Sequence, residues 1–191
     1  MDDVNFCQRC LYSNLHPFSI TFNEEGVCSG CQVHEEKDCL DWHKRWVLLT
    51  EIANKYRSKS GNNYDCILPV SGGQDSYFTV HVVKNLLGLN PLLVSYNKYF
   101  NTEIGIQNLA NLRIKFNCDI VVQNVNPNSI KKITQATLYD FGSMYWPILA
   151  GHSVFPVQTA ERFGVPLIVW GAHQGLEQVG MFSHTHEVEM T

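Results

Sequence analysis

The sequence predicts an α/β fold, a doubly wound parallel sheet preceded by a small cysteine-rich ribbon. Three observations predict it: apolar strand-like runs alternate with amphipathic helical stretches from residue 64 onward, a glycine loop follows the first run, and two Cys-x-x-Cys pairs lie near the N-terminus. Strands separated by single helices pair in parallel, with helices on both faces of the sheet. We expect a ribbon over 1–39, a linking helix over 40–63 and an α/β domain over 64–191.

The N-terminal ribbon is predicted to bind a metal ion. Four of the seven cysteines form two close pairs, Cys7 with Cys10 and Cys28 with Cys31. In a cytosolic chain such pairs favour a metal over disulfides, and four thiolates complete the tetrahedral shell of a structural Zn²⁺. Residues 18–22 alternate as a strand should, and residues 23–26 make a turn back to the second pair. An iron–sulfur cluster, or four unligated core thiols, are the alternatives.

The rest of the chain alternates between helix and strand. The first helix carries Trp42 and Trp46 at helical spacing, and Gly88 ends the second helix. Cys66 and Cys118 begin two apolar strand-like runs, where a buried thiol acts as a small hydrophobic group. The predicted helices are 41–59, 75–87, 102–116, 128–140 and 148–163, and the predicted strands are 65–70, 91–96, 118–125 and 166–170.

The loop at 71–76 reads Ser-Gly-Gly-Gln-Asp-Ser and separates a predicted strand from a predicted helix. Glycines let the backbone approach an anion, the first-turn amides of the helix point at it, and the serines add hydroxyl donors. A carboxylate repels a polyphosphate unless a divalent cation lies between them, so Asp75 indicates a Mg²⁺ or phosphate site. The alternative is an ordinary glycine turn capped by serine and aspartate. We expect phosphate-binding residues at Ser71, Gly72, Gly73, Asp75 and Ser76, with Asp75 and Ser76 as the catalytic residues.

Two other predicted strand ends carry polar residues. Ligands bind doubly wound sheets at the carboxyl ends of the strands, so we expect a nucleotide to contact both. The loop at 171–175, which follows the last predicted strand, equally fits a strand-to-helix turn with exposed His173 and Gln174. His184 and His186 could bind metal, but two histidines without a third ligand are more often surface residues. The candidate nucleotide-binding residues at the two strand ends are Ser95 and Tyr96, then Gly171, His173 and Gln174.

The loop Ser-Gly-Gly-x-Asp-Ser resembles that of the ATP pyrophosphatase superfamily, whose members cleave ATP to AMP and pyrophosphate. The order of a double Cys-x-x-Cys ribbon, this loop and the segment 167–184, Leu-Ile-Val-Trp-Gly-Ala-His-Gln-Gly-Leu-Glu-Gln-Val-Gly-Met-Phe-Ser-His, is more specific. It resembles the N-acetyl sugar amidotransferases of bacterial surface-polysaccharide synthesis over nearly the whole chain. Such proteins continue beyond the segment that ends here at Thr191, so we expect an N-terminal part of a longer enzyme.

The resemblance implies a reaction and its cofactors. It implies ATP and Mg²⁺ at residues 71–76 and a structural Zn²⁺ on the four ribbon cysteines. The acetamido oxygen of a nucleotide-linked N-acetyl sugar would be adenylated and then replaced by ammonia, as in lipopolysaccharide O-antigen synthesis. Ammonia would come from a separate glutaminase subunit. The sequence leaves oligomerisation open.

Composition narrows the remaining function classes. The chain has 14 basic and 18 acidic residues and a net charge of −4, with no basic block that would follow a nucleic-acid backbone. The first residues show no signal-peptide pattern, and no apolar stretch approaches the ~20 residues of a membrane span, so we expect a cytoplasmic protein. The alternatives are a tRNA thiolation enzyme, which needs a reactive cysteine and a basic surface, and a non-catalytic adenine-nucleotide module, which does not require Asp75.

Overall fold

The computed structural model describes residues 4–17, 20–171, 180 and 182–184. Two compact units divide the chain, Met1–Trp46 with Ala172–Thr191, and Val47–Gly171. No helix among the described residues is long and apolar enough to cross a membrane. Over the same residues, the elements are α1 (Ser29–Cys39), α2 (Trp42–Tyr56), β1 (Cys66–Pro69), α3 (Gln74–Val80) continued by a π-helix (His81–Leu86), β2 (Pro91–Tyr96), α4 (Glu103–Phe116), β3 (Ile120–Gln123), α5 (Pro127–Phe141) and α6 (Trp146–Phe163).

The larger unit, Val47–Gly171, is built on a parallel sheet in the order β1-β2-β3. On the other side of β1, Ile168 forms a parallel bridge with Ile67. The Ile67 amide donates to the Leu167 carbonyl at 2.8 Å, and the Val169 amide donates to the Ile67 carbonyl at 2.9 Å. The last predicted strand, 166–170, is therefore present as a short pairing that places β1 in the middle of the sheet.

Both faces of this sheet are covered. Leu68 and Leu93 point to the face where α3, the π-helix and α4 contribute a buried cluster, while their neighbours Ile67 and Leu92 pack on the opposite face with Phe155 of α6. This alternation follows from the two-residue period of a strand. Full burial of a leucine or isoleucine stabilises the fold by about 1.5–3 kcal/mol, so the sheet centre dominates the stability of this unit. The predicted doubly wound α/β class is confirmed.

Helix ends in this unit follow the local chemistry. Thr102 caps α4 by accepting the Gly105 amide at 3.1 Å, and Asn126 caps α5 by accepting the Asn128 amide at 2.9 Å. The predicted helix at 75–87 changes to a π-helix at His81, where bonds of the type Leu87 amide to Val82 carbonyl span five residues. Apolar periodicity carries no signal for that change.

The smaller unit contains the ribbon and α1. Bridges pair Phe6 with Ser13 and Phe22 with Cys28, and the Asn23 side chain closes the turn between them by accepting the Val27 amide at 2.9 Å. Residues 18 and 19 of the predicted strand lie outside the described residues. α1 begins inside the segment expected to be ribbon alone, and its only buried residue is Val33. A helix with so narrow an apolar contact gives no periodic signal in the sequence.

Candidate functional site

The loop at 71–76 closes on itself through its two serines. Ser76 lies in the first turn of α3 and is buried, and its hydroxyl oxygen accepts the Ser71 amide at 3.0 Å. The two hydroxyl oxygens lie 3.4 Å apart. The first-turn amides of a helix have no carbonyl four residues earlier, so they remain donors for an anion. Gly73 and Asp75 are exposed at this end of the helix, with Asp75 at its second position.

Gly72 is required by both its backbone angle and its surroundings. Its φ is +80°, in the left-handed region that side chains disfavour. A Cβ atom built on Gly72 would lie 3.0 Å from the backbone nitrogen of Leu109 and 3.2 Å from its Cα. The loop is therefore pressed against α4, which fixes its shape. By contrast, Gly73 has φ −73° and a Cβ there would meet only the Ser71 hydroxyl at 3.5 Å, so its outer side is open.

The loop lies where the order of the sheet reverses. β1 leads into it, and β1 has β2 on one side and the segment at 167–169 on the other. The connection from β1 to β2 runs through α3, which covers one face of the sheet. The connection from β3 to 167–169 runs through α5 and α6, and α6 covers the opposite face. Such a switch point opens a crevice at the carboxyl ends of the strands. The Val70 amide donates to the Val94 carbonyl at 2.9 Å, which places the start of the loop beside the end of β2.

Gly171 approaches the same helix that carries the loop. A Cβ atom on Gly171 would lie 3.0 Å from the Thr79 hydroxyl oxygen. That hydroxyl donates back to the Asp75 carbonyl at 2.8 Å, so Gly171 lies one helical turn beyond Asp75. The end of the last strand therefore lies beside α3, while the predicted contact of Gly171 with a nucleotide stays a prediction. His173 and Gln174 fall outside the described residues.

Ser95 and Tyr96 end β2 with their side chains on opposite faces. Ser95 is buried, and Tyr96 is half-buried with its ring beneath α6. A Cβ atom on Gly151 would lie 2.3 Å from the Tyr96 ring, and the His152 ring meets it edge-on with centroids 5.9 Å apart. Burial raises the pKa of Tyr96 and lowers that of His152, so both side chains are neutral near pH 7. Tyr96 thus packs under α6 at the end of β2. The sequence analysis missed Gly151 and His152; a lone glycine inside a helical pattern was the available signal.

A separate cavity lies at the opposite end of the sheet. It has a volume of about 350 Å³ and is lined by Arg57, Asp65 and Lys84, among others. The Asp65 carboxylate already accepts the amides of Ser58 at 2.6 Å and Asn90 at 2.7 Å. The Asp65 contacts therefore join the start of β1 to the neighbouring chain segments. We place the candidate nucleotide site at the other end of the sheet, at the loop 71–76.

The four ribbon cysteines form a compact sulfur cluster. Their Sγ atoms all lie within 4.8 Å of one another, with Cys7 to Cys31 at 3.9 Å and Cys10 to Cys28 at 3.5 Å. A tetrahedral Zn²⁺ with Zn–S bonds of about 2.3 Å requires Sγ atoms about 3.8 Å apart. An iron–sulfur cluster distributes its thiolates over different irons, so this compact set fits a single ion better. The residues present therefore fit the predicted zinc site.

Backbone amides around this cluster favour the thiolate form of one cysteine, Cys7. Backbone N–H groups, first that of Cys10 and then those of Arg9 and Cys28, lower the pKa of the Cys7 thiol to about 6. Burial raises the pKa of Cys31 to about 12 and raises that of Cys28. A divalent cation supplies the charge needed to deprotonate the remaining thiols, so metal binding releases protons.

The thiols outside the ribbon are poor nucleophiles where the structure buries them. Cys66 is fully buried, and burial raises the pKa of its thiol to about 12. Burial also raises the pKa of Cys118, which is half-buried. Thiolate is the reactive form, so neither residue offers an activated sulfur.

Comparisons with known proteins identify the fold. No protein-family model matches the chain. It is 26% identical over 118 residues to the uncharacterized protein MJ1599 of Methanocaldococcus jannaschii, a match that covers 62% of this chain and 42% of that protein. The NH3-dependent NAD synthetase from Campylobacter jejuni, solved with a nitrate ion, has a TM-score of 0.52 at 14% identity over 75% of this chain and 62% of that chain. The NMN synthetase from Francisella tularensis has a TM-score of 0.49 at 13% identity over 70% and 57%.

The likeness to the Campylobacter NAD synthetase shows the fold alone: 75% of this chain shares the α/β fold of that protein. The chain spans 42% of the length of the curated relative and 62% of that synthetase.

Proposed function

We propose that this chain carries the ATP-activating part of an amidotransferase that converts the acetamido group of an N-acetyl sugar to an acetamidino group. The observation that carries the proposal is the self-closed loop at 71–76, at the switch point of a pyrophosphate-loop fold. The resemblance of the ribbon, the loop and the segment at 167–184 to sugar amidotransferases supports the acceptor.

The loop residues supply the anion site of this proposal. Gly73 and the first turn of α3 form an exposed helix end whose amides have no intrahelical acceptor, and Ser71 adds a hydroxyl. The helix dipole adds about 0.3–1 kcal/mol for a negative charge placed there. Asp75 is exposed on the same turn and would hold Mg²⁺, which neutralises the charge of the leaving pyrophosphate.

The chemistry follows from the low reactivity of an amide. Its carbonyl carbon is a poor electrophile, so ammonia displaces the oxygen only after that oxygen becomes a leaving group. The amide oxygen attacks the α-phosphorus of ATP, the bond to the β-phosphate oxygen breaks, and pyrophosphate leaves. Ammonia then adds to the imidate carbon, and AMP leaves with the former amide oxygen. The protein positions the reactants and stabilises charge, so no side chain need act as a covalent nucleophile.

The buried thiols favour this proposal over sulfur transfer. A thiolation enzyme on this fold needs a reactive cysteine near the ATP site, and burial raises the pKa of both Cys66 and Cys118. The ribbon cysteines are committed to one another by their Sγ separations. A non-catalytic nucleotide module would not need the carboxylate of Asp75 at the helix end.

The test is to incubate the full-length protein with Mg-ATP, ammonium and a nucleotide-linked N-acetyl sugar. We expect sugar-dependent formation of AMP and pyrophosphate, and a product in which NH replaces one oxygen. Adding a glutaminase with glutamine should replace ammonium. Sugar-independent pyrophosphate release, or activity only with tRNA, would overturn the choice of acceptor. ATP binding without turnover under every condition would favour the binding module.

A further inference from the structure

One glutamate on α1 binds the segment near residue 184. A single oxygen of the Glu36 carboxylate accepts three hydrogen bonds: the His184 amide at 2.8 Å, the Ser183 hydroxyl at 2.9 Å and the His184 Nδ1 at 3.2 Å. The Arg45 guanidinium donates to the His184 carbonyl. Only 10% of the His184 side chain is exposed. Gly180, Phe182, Ser183 and His184 are called the docked segment below.

Gly180 brings the same segment onto the start of α1. Its φ is +63°, and a Cβ atom there would lie 2.4 Å from the Ser29 carbonyl oxygen and 2.9 Å from a methyl group of Val33. Only glycine fits both that angle and that approach. The docked segment therefore touches α1 at two places, near its first residue and two turns later at Glu36.

α1 depends on the sulfur cluster for its own stability. It has 11 residues, no side-chain hydrogen bond at its N-cap and only Val33 buried. Isolated helices of that length are marginal in water. The residue before the helix is Cys28, and Cys31 lies in its first turn, so two of the four metal-ligand candidates hold this end. The ion pair of Glu35 with Arg9 joins the helix to the other cysteine pair.

We infer that the metal-folded ribbon anchors the chain segment that follows the last strand: the metal fixes α1, and α1 holds the docked segment through Glu36. The Glu36 carboxylate has a pKa below its ordinary value because the His184 amide donates to it, followed by the Ser183 hydroxyl. The ribbon thus holds the docked segment, which follows Gly171, the last residue of the Val47–Gly171 unit, in the sequence. This inference rests on the proposed zinc site and is independent of the proposed sugar reaction.

The experiment measures amide exchange at Ser183 and His184 by NMR in the full-length zinc-loaded protein. Glu36→Gln should speed exchange of the His184 amide by at least about tenfold, because a hydrogen bond to a charged acceptor is replaced by a weaker one. Gly180→Ala should have the same effect. Neither variant alters a cysteine, so both should still be fully loaded when zinc is in excess. Glu25→Gln, at an exposed turn of the ribbon, is the charge-matched control and should leave exchange unchanged.

Zinc removal tests the other half of the inference. Chelation should release the His184 amide while the amides of Leu68 and Leu93, in the centre of the sheet, stay protected. By reciprocity, Glu36→Gln should weaken zinc binding, and Glu25→Gln should not. Unchanged protection at His184 after chelation would overturn the dependence on metal. Unchanged exchange in both Glu36→Gln and Gly180→Ala would overturn the anchor, whatever the enzyme's activity.

Discussion

Replacing Gly72 by alanine tests the shape of the loop most directly. A non-glycine residue at φ +80° costs about 1–2 kcal/mol, and the contact of its Cβ with the Leu109 backbone at 3.0–3.2 Å adds about 1–3 kcal/mol. We expect the free energy of unfolding to fall by about 2–5 kcal/mol and the melting temperature by roughly 5–15 °C. The backbone of α4 cannot rotate away as a side-chain tip could, so the strain persists.

Gly73→Ala is the matched control, one residue along the same loop. Gly73 has φ −73°, and its added Cβ would meet only the Ser71 hydroxyl at an ordinary 3.5 Å. We expect unchanged or slightly raised stability, because alanine restricts the unfolded chain. If Gly73 faces the phosphates, this variant should still bind Mg-ATP more weakly. Calorimetric unfolding and nucleotide titration check both variants, and equal stability of Gly72→Ala and Gly73→Ala would refute the loop geometry.

The other predictions concern the metal sites, a core contact and pH. Asp75→Asn should weaken ATP binding in the presence of Mg²⁺ and change it little without Mg²⁺; titration with and without EDTA checks this, and indifference to both would contradict the phosphate-site reading. Cys28→Ser should lower zinc content in a metal analysis of the purified protein, and unchanged zinc would reject the four-cysteine site. Gly151→Ala should destabilise the fold by about 1–3 kcal/mol, since its Cβ would lie 2.3 Å from the Tyr96 ring; unaltered melting would contradict that packing. Glu36 has a pKa below its ordinary 4.5, so its stabilisation is present above pH 4.5 and is lost as the pH falls through the lower folded value; an NMR titration of Glu36 at or above 4.5 would contradict the contact.

The loop and the sheet were predictable because their signals are local. Ser71 to Ser76 follow an apolar run directly, and the parallel pairing of a doubly wound sheet follows from alternating strands and helices. Helix bounds came within a few residues for the same reason: the helix predicted at 102–116 is α4, Glu103–Phe116. Local signals did not predict which distant side chains and helices would surround the loop.

The features that the sequence did not predict depend on contacts between residues far apart in the chain. The partner of Gly72 is Leu109, and the partner of Tyr96 is Gly151, and neither pair shares a motif. α1 escaped prediction because one buried valine gives no apolar stripe, and its stability comes from the neighbouring cysteines. The hydrogen bond between Glu36 and His184 joins residues 148 positions apart in sequence, so only the folded chain shows it.

The geometry of the sulfur cluster indicates a structural role for a bound metal, distinct from the proposed reaction at the loop 71–76. With Zn²⁺ bound, four thiolates would complete a tetrahedral shell, so no coordination position would remain for a water or a substrate oxygen. The amides of Arg9 and Cys28 donate to Cys7 Sγ at 3.4 and 3.3 Å, which stabilises a bound thiolate and makes it a poorer nucleophile. In the proposed reaction, activation of the amide would therefore depend on the loop at 71–76, while in the proposed anchor the metal would act by folding α1. Chelation of the zinc-loaded protein should then release the docked segment, as Glu36→Gln does, and a titration of both proteins with Mg-ATP would test whether the loop at 71–76 binds nucleotide independently of that release.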